Sequence, residues 1–336
     1  MLCPGSLGST RKSGRGPRRV PKREGGFRMR RASSWKGTKL IAAIAAVTLL
    51  GAACTTDQAT DGDGEGGGAT LEALPGFVPI VDGEPDLGCG GYGFRPQNKD
   101  FRDAFNEALV EMKENGEIVP LVEEFGFTEA AQAAEGVTME DLAPDAIEGE
   151  SGGGLLEELQ AEGSITIGFA DEPPYGFEGP DGLPTGEAPT VAREVLGRLG
   201  IDEIDSQIVE FGALINGLIA GNYDLIAAGM FINDERAEQI LFTDPDYCGT
   251  TSLAVKAGNP FNLSDFDSVA ANPDVRFGLQ SGTAEVGYAE AAGIPDSQIQ
   301  TFATAADLFD ALVADRVDAV ALTTLTVNDQ VDAING

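Results

Sequence analysis

One arginine and a few loop residues in the middle of the chain have the chemistry to hold a small charged molecule. Glu172 and Tyr175 lie in GFADEPPYGF, Phe211 follows SQIVE, Phe231 closes AAGMF, and Arg236 comes five residues later in INDERAEQ. A guanidinium can grip a carboxylate through two parallel hydrogen bonds, which the single ammonium of lysine cannot imitate. A carboxylate accepts from cationic N–H groups, and aromatic faces attract delocalised positive charge. Together these side chains suit the binding of a compact zwitterion. They are poorly suited to covalent chemistry. The chain has no histidine, which removes Ser-His-Asp and Cys-His catalysis and the commonest zinc ligand. Its four cysteines, Cys3, Cys54, Cys89 and Cys248, form no C-x-x-C pair, so no structural metal site is expected. We assign no catalytic residue, metal or cofactor; only the adjacent Asp171 and Glu172 keep acid–base chemistry open as an alternative.

The elements that position these residues run from Ile165 to Cys248. ITIGFA, SQIVEF and DLIAAGM read as strands, and 188–199 and ALINGLIAG as helices. In an open α/β sheet ligands gather at the carboxyl ends of the strands, where these loops lie. Further on, TTSLAVKAG is a strand, FNLSDFDSV a helical start, VRFGLQSG a strand, and a helix follows from Thr283. QIQTFA, a helix over 304–314 and VDAVALT complete a second α/β unit. Two such units joined by extended crossing segments predict two lobes with a cleft between them. Before them, 71–94 reads as two short strands around a turn. Phe101, Phe105, Leu109 and Met112 then give a helix broken at Gly116, and 129–154 turns polar and ends in the linker EGESGGG.

Charge divides the chain sharply. Twelve of its 22 Lys/Arg precede Cys54 against one acid, leaving ten against 54 afterwards, a formal net of −44. So acidic a surface excludes nucleic acid as a partner, because phosphate contacts need clustered basic groups. It suits a protein kept soluble at high ionic strength, and equally an ordinary acidic secreted protein. Residues 1–53 read as a signal region with its start at Met29: MRRASSWKGTK is a positive segment and LIAAIAAVTLLGAA an apolar one too short to span a membrane well. GAAC resembles the site at which bacterial lipoproteins are cleaved and the cysteine lipidated, at Cys54, although Gly51 stands where an aliphatic residue is preferred. Cleavage at an ordinary small-residue site with free secretion remains the other reading. Residues 54–69, acidic and glycine-rich, make a flexible tether.

Several long segments resemble the bacterial extracellular solute-binding proteins of the polar-amino-acid type, the receptors of ABC importers, and among them the ectoine/hydroxyectoine binders. They are GFADEPPYGF, TGEAPTVAREVLGRLGI, FGALINGLIAGNYDLIAAGMFINDERAEQILFTDPDYCG, AVKAGNP, QIQTF, RVDAVALT and PIVDGEPDLGCGGYGFRPQNKDFRDAFNEALVEMKENGE. The resemblance implies an α/β, two-lobed, type II periplasmic-binding-protein-like fold hinged on two crossing strands. In the family the segment resembling 71–143 comes last; here it comes first, which implies a circular permutation with 129–154 joining the old ends. Lobe one is then 92–250, made of a helical part 92–128, the linker 129–154 and a sheet over 155–250. Residues 70–91 and 251–336 form lobe two and the hinge, with Gly88, Gly90, Gly91 and Gly93 easing its bend.

The resemblance also implies roles for single residues. Arg236 would clamp a carboxylate, Glu172 would accept from ring nitrogens, Tyr175, Phe211 and Phe231 would box the ring, and Gly229 would let ligand approach the backbone. From lobe two, Thr283 at a helix start would meet the carboxylate, with Glu285 nearby. The wider family places an aspartate for an α-ammonium just after the strand matching RVDAVALT, where this chain has Thr323; that departure favours ectoine over glutamine or arginine. Cys89 and Cys248 sit at opposite ends of the crossing strands, and whether they are bonded stays open. The implied protein is a monomeric receptor held at the outer face of the membrane by its lipid and serving an ABC permease. A polar-amino-acid receptor and a dehydratase-like enzyme on the same fold are the alternatives; a sensor domain is a weaker one, since no kinase or transmembrane segment follows.

Overall fold

Two mixed β-sheets carry the architecture of residues 70–336, the part of the chain that the structure, a computed structural model, describes. The first has the order Leu241–Phe242, Gly88–Phe94, Leu225–Phe231, Ser164–Phe169, Glu203–Ile208, with Tyr247–Gly249 pairing on Gly88–Phe94. Ser164–Phe169 runs parallel to both its neighbours, and Gly88–Phe94 antiparallel to all three of its own. The second sheet has the order Leu71–Ala73, Thr251–Lys256, Ala319–Thr323, Phe277–Gln280, Ile299–Phe302. Its last three strands are parallel, and Thr251–Lys256 is antiparallel to both its neighbours.

Apolar runs explain the strands. Ile165, Ile167 and Phe169 are buried along one strand, and all of Ala319–Thr323 is buried along another, as expected where helices cover both faces of a parallel sheet. The helix Lys99–Glu114 buries Phe101, Phe105, Leu109 and Met112, the stripe that its sequence spacing predicts, against the first sheet. Helices Glu187–Arg198 and Leu214–Ala220 cover the same core. The second sheet packs a core on each face, one around Phe266 and Phe277 and one around Leu308, Phe309 and Leu312.

Three expectations need correction. Residues 88–91 belong to the first sheet and not to the second lobe, because the whole of Gly88–Phe94 pairs there. The glycines of that strand serve packing more than bending: a Cβ on Gly88 would lie 2.0 Å from the Phe231 ring, and one on Gly90 2.2 Å from the Tyr247 ring. The chain changes sheets instead at Gly249–Thr250 and just before Gly88. Finally, 129–154 is no plain linker. Helix Thr128–Ala133 sits on the Tyr247–Gly249 strand, and Met139–Leu142 is opened by a Thr138–Asp141 capping box. Its tail is pinned by backbone bonds from Ile147 N–H to Ala237 and from Glu150 N–H to Pro96, so the polar side chains face water while the backbone is tied down.

Cys89 and Cys248 are directly opposed on neighbouring antiparallel strands and form a disulfide. Cys3, Cys54, the signal region and the tether lie outside the described residues. Among the described residues no helix is long and apolar enough to cross a membrane.

Candidate functional site

A narrow cavity lies where the carboxyl ends of the two sheets' strands face each other. Its space between atoms comes to about 320 Å³, part of it open to solvent, and only a small part is wide enough for water. All eight residues singled out from the sequence line it: Glu172, Tyr175, Phe211, Gly229, Phe231 and Arg236 from the first lobe, Thr283 and Glu285 from the second. Ala228, Ala284, Leu322 and Thr323 complete the wall.

Arg236 is held in place before any ligand is considered. Asn233 caps its short helix by accepting from the Arg236 backbone N–H at 3.0 Å. The guanidinium donates through Nη1 to the Phe231 carbonyl and through Nη2 to the Gly282 carbonyl of the other lobe, at 2.8 Å. It also lies over the Phe211 ring, 5.5 Å from the centroid. Burial lowers its pKa, and the nearby Glu285 opposes that shift.

Two buried carboxyls line the same cavity, Glu172 from the lobe of Arg236 and Glu285 from across the cleft. Glu172 accepts from the Thr326 hydroxyl at 3.2 Å, and the Gln280 amide also reaches it. Loss of hydration, helped by the charge of Glu285, pushes Glu172 up to about 7. Glu285 is raised by burial too, against its own helix N-terminus, Thr283 and Arg236. Thr251 Oγ1 reaches Glu285 at 3.4 Å. Among the described residues no group of three or more His, Cys, Asp or Glu could hold a metal.

The aromatic wall is continuous. Tyr175 and Tyr247 have ring centroids 5.2 Å apart, Phe231 lies 6.0 Å from Tyr247, and Phe127 packs edge-on against both tyrosines. Gly229 has a positive φ of 58°, and a Cβ there would meet the Tyr175 ring at 2.3 Å. What approaches the Gly229 backbone most closely is therefore Tyr175, with the Tyr247 hydroxyl donating to its carbonyl at 2.6 Å. The Thr283 hydroxyl donates to the Gln280 carbonyl at 3.0 Å, leaving the start of helix Ala284–Ala291 without a side-chain cap.

Sequence reasoning missed Thr326 and Gln280, which brace Glu172, and Tyr247 and Phe127, which back the aromatic wall. Gln280 ends the strand just before the Ser281–Thr283 loop, a position that could have flagged it. Thr326 gave no signal, since its reach to Glu172 spans 154 residues of sequence. Behind the wall, Glu187 and Asp246 are buried and both raised by lost hydration, Glu187 also by the charge of Asp246.

Residues 165–286 match the bacterial extracellular solute-binding proteins, family 3. The solved structure of EhuB in complex with hydroxyectoine is 37% identical, covers 55% of this chain and 71% of that one, and superposes with a TM-score of 0.52. The chain belongs to this family. The probable amino-acid ABC transporter periplasmic-binding protein y4tE of Sinorhizobium fredii is 35% identical over 181 residues, 53% of this chain and 60% of the relative. The L-cystine-binding protein TcyJ of Escherichia coli is 24% identical over 183 residues, 54% of this chain and 67% of the relative. The chain thus spans less than two thirds of y4tE. The fold of this family member is the two-lobed α/β arrangement described above, and its family is one of binding proteins, not of enzymes.

Proposed function

We propose that this chain is the solute receptor of an ABC importer and that its cleft binds ectoine or 5-hydroxyectoine. The observation that carries this reading is the composition of the cavity. One buried guanidinium, two buried carboxyls and a wall of three aromatic rings match a compact ring that carries both an amidinium and a carboxylate. Arg236 would take the carboxylate, Glu172 the amidinium N–H groups, and Tyr175, Phe211 and Phe231 the faces of the ring. Thr283 and Glu285 would join from the second lobe as the cleft closes. The likeness to EhuB supports the choice of ligand. Calorimetry with ectoine, 5-hydroxyectoine and the twenty amino acids tests it: heat with either ectoine is expected, and heat with an amino acid alone would refute it. That second outcome is the polar-amino-acid reading, which the likeness to y4tE favours.

The same reading has the receptor monomeric, lipidated at Cys54 and held at the outer face of the membrane next to its permease. Mass spectrometry of the Cys54 peptide should find the lipid, and Cys54→Ser should release the protein into the medium. We also propose that the segment order is a circular permutation. The Asn335 side chain bonds both the N–H and the carbonyl of Leu71, at 3.0 and 2.9 Å, so the last helix meets the first strand of the described region. The helical region 99–142 meanwhile packs on the sheet that follows it in sequence.

A further inference from the structure

Two glycines meet where the lobes touch at the cleft. Gly212 lies in the turn Phe211–Ala213 between a strand and a helix of the first lobe. Gly282 lies in the loop between strand Phe277–Gln280 and helix Ala284–Ala291 of the second. A Cβ placed on Gly282 would stand 2.5 Å from the Gly212 Cα, nearer than atoms can approach, and Gly282 has a positive φ of 80° besides. A Cβ on Gly212 would lie 3.1 Å from the Ser281 carbonyl oxygen and 3.5 Å from the Ser281 Oγ. Backbone therefore packs on backbone across the cleft, and the same loop is tied to the first lobe by the Arg236 Nη2 bond to the Gly282 carbonyl. Phe211, beside Gly212, carries that guanidinium on its face.

We propose that Gly212 and Gly282 are positioning residues that set how far the cleft closes, with Arg236 latching the lobes through the Gly282 carbonyl. This rests on the reading of the cavity as a solute site. The bare backbone at 282, and a small residue at 212, let Thr283 and Glu285 come close to Arg236 across so narrow a space. A Cβ at 212 would press on the Ser281 carbonyl at 3.1 Å, a contact that gives by a few tenths of an ångström. Larger side chains would push the lobes further apart beside the neighbouring cavity lined by Ile215, Asn216 and Asn233. Gly212 has no positive φ, so a substitution there costs the first lobe little and acts through the contact itself.

The experiment has two arms, both in the full chain with Cys3 and Cys54 changed to serine. In the first, Gly212→Cys and Ser281→Cys are combined and exposed to a mild oxidant. A crosslink is expected, forming faster with saturating ectoine, and its absence with and without solute would overturn the contact. In the second, Gly212→Ala and Gly212→Val are titrated with the solute that the unmodified protein binds. Weakening is expected to grow with side-chain size and to reach at least tenfold for valine, through faster dissociation, with the melting temperature in the absence of solute unchanged. An affinity for the valine variant within twofold of the parent would overturn the proposal. A parent protein that ignores ectoine refutes the ectoine reading alone, because the crosslink requires no solute and still decides whether the lobes meet at these glycines.

Discussion

Glu172→Gln should change the pH dependence of stability in a defined direction and window. In the folded protein burial and Glu285 raise this carboxyl to about 7, against an ordinary value of 4.5. A raised acid means that the folded state holds a proton that the unfolded state has already released. The stability tied to that proton is complete below pH 4.5, falls as pH rises towards 7, and is gone above it. The difference between the two values corresponds to roughly 3 kcal/mol at 1.36 kcal/mol per tenfold change in acidity. Glutamine keeps the shape and can still accept from Thr326, but it does not titrate. Glu187, Asp246 and Glu285 are raised as well, so the wild-type curve alone would mix several groups. The informative quantity is the stability of wild type minus that of Glu172→Gln, from denaturant unfolding without solute at pH 5 and pH 8.5. Between those two pH values it should fall by about 2–3 kcal/mol. Parallel pH profiles for the two proteins would refute the claim that Glu172 is a buried acid in a like-charged pair. A cationic group bound against Glu172 should expel the same proton, so solute affinity should rise with pH up to about 7 more steeply in wild type than in the variant.

Arg236→Lys should weaken solute binding by about 2 kcal/mol or more, measured by calorimetry, since a charge-assisted bidentate contact and the bond to Gly282 cannot both be remade by an ammonium; equal affinity would show that the fork is not used. Replacing Cys89 and Cys248 together by alanine removes a crosslink spanning 159 residues and should cost about 2–5 kcal/mol in denaturant unfolding. Phe105→Ala, deep in the first core, should cost about 3–5 kcal/mol without changing the solute preference of what remains folded. A rearranged chain that joins residue 336 directly to residue 70 and opens between 150 and 154 should fold with similar stability and bind the same solute; failure to fold would count against the permuted order.

The first core was legible because its signals are local. Phe101, Phe105, Leu109 and Met112 fall at helical spacing, and Ile165, Ile167 and Phe169 alternate along a strand. The residues that line the cavity were legible because most lie at or just beyond strand ends or at helix starts, where a parallel sheet presents side chains to a ligand. Glu172 and Tyr175 lie in the loop after Ser164–Phe169, Phe231 closes its strand, and Thr283 and Glu285 open Ala284–Ala291. What escaped notice depends on pairing between distant segments. Gly88 and Gly90 look like a bend in the sequence, and only the register with Phe231 and Tyr247 shows that two rings occupy their missing side chains. The polar stretch 129–154 reads as a linker because its ties to Pro96, Ala237 and Asp244 are made by backbone groups, which carry no residue-type signal. Nor does spacing reveal that Thr326 supports Glu172 from the opposite lobe.

The charge balance of the cavity bears on which solute it takes. The resemblance puts Thr323 where the wider family would hold an α-ammonium with an aspartate, and on sequence alone that departure argues against amino acids. The structure brings the second carboxyl fully into the comparison, since Glu285 lines the same cavity from helix Ala284–Ala291 and is buried more deeply than Glu172. Position 323 alone therefore does not leave an ammonium without a partner. The discrimination shifts to geometry. Glu172 and Glu285 come from different lobes, with Arg236 beside Glu285 and aromatic rings beside Glu172. A compact sp3 ammonium would be drawn towards Glu285, where Arg236 already competes for the carboxylate. A flat, delocalised amidinium gains from lying against Tyr175 and Phe231 with its N–H groups towards Glu172. On the proposed reading an ectoine-type ring would engage Arg236, Glu172 and the aromatic rings together, whereas an α-amino acid would leave the aromatic rings to its side chain.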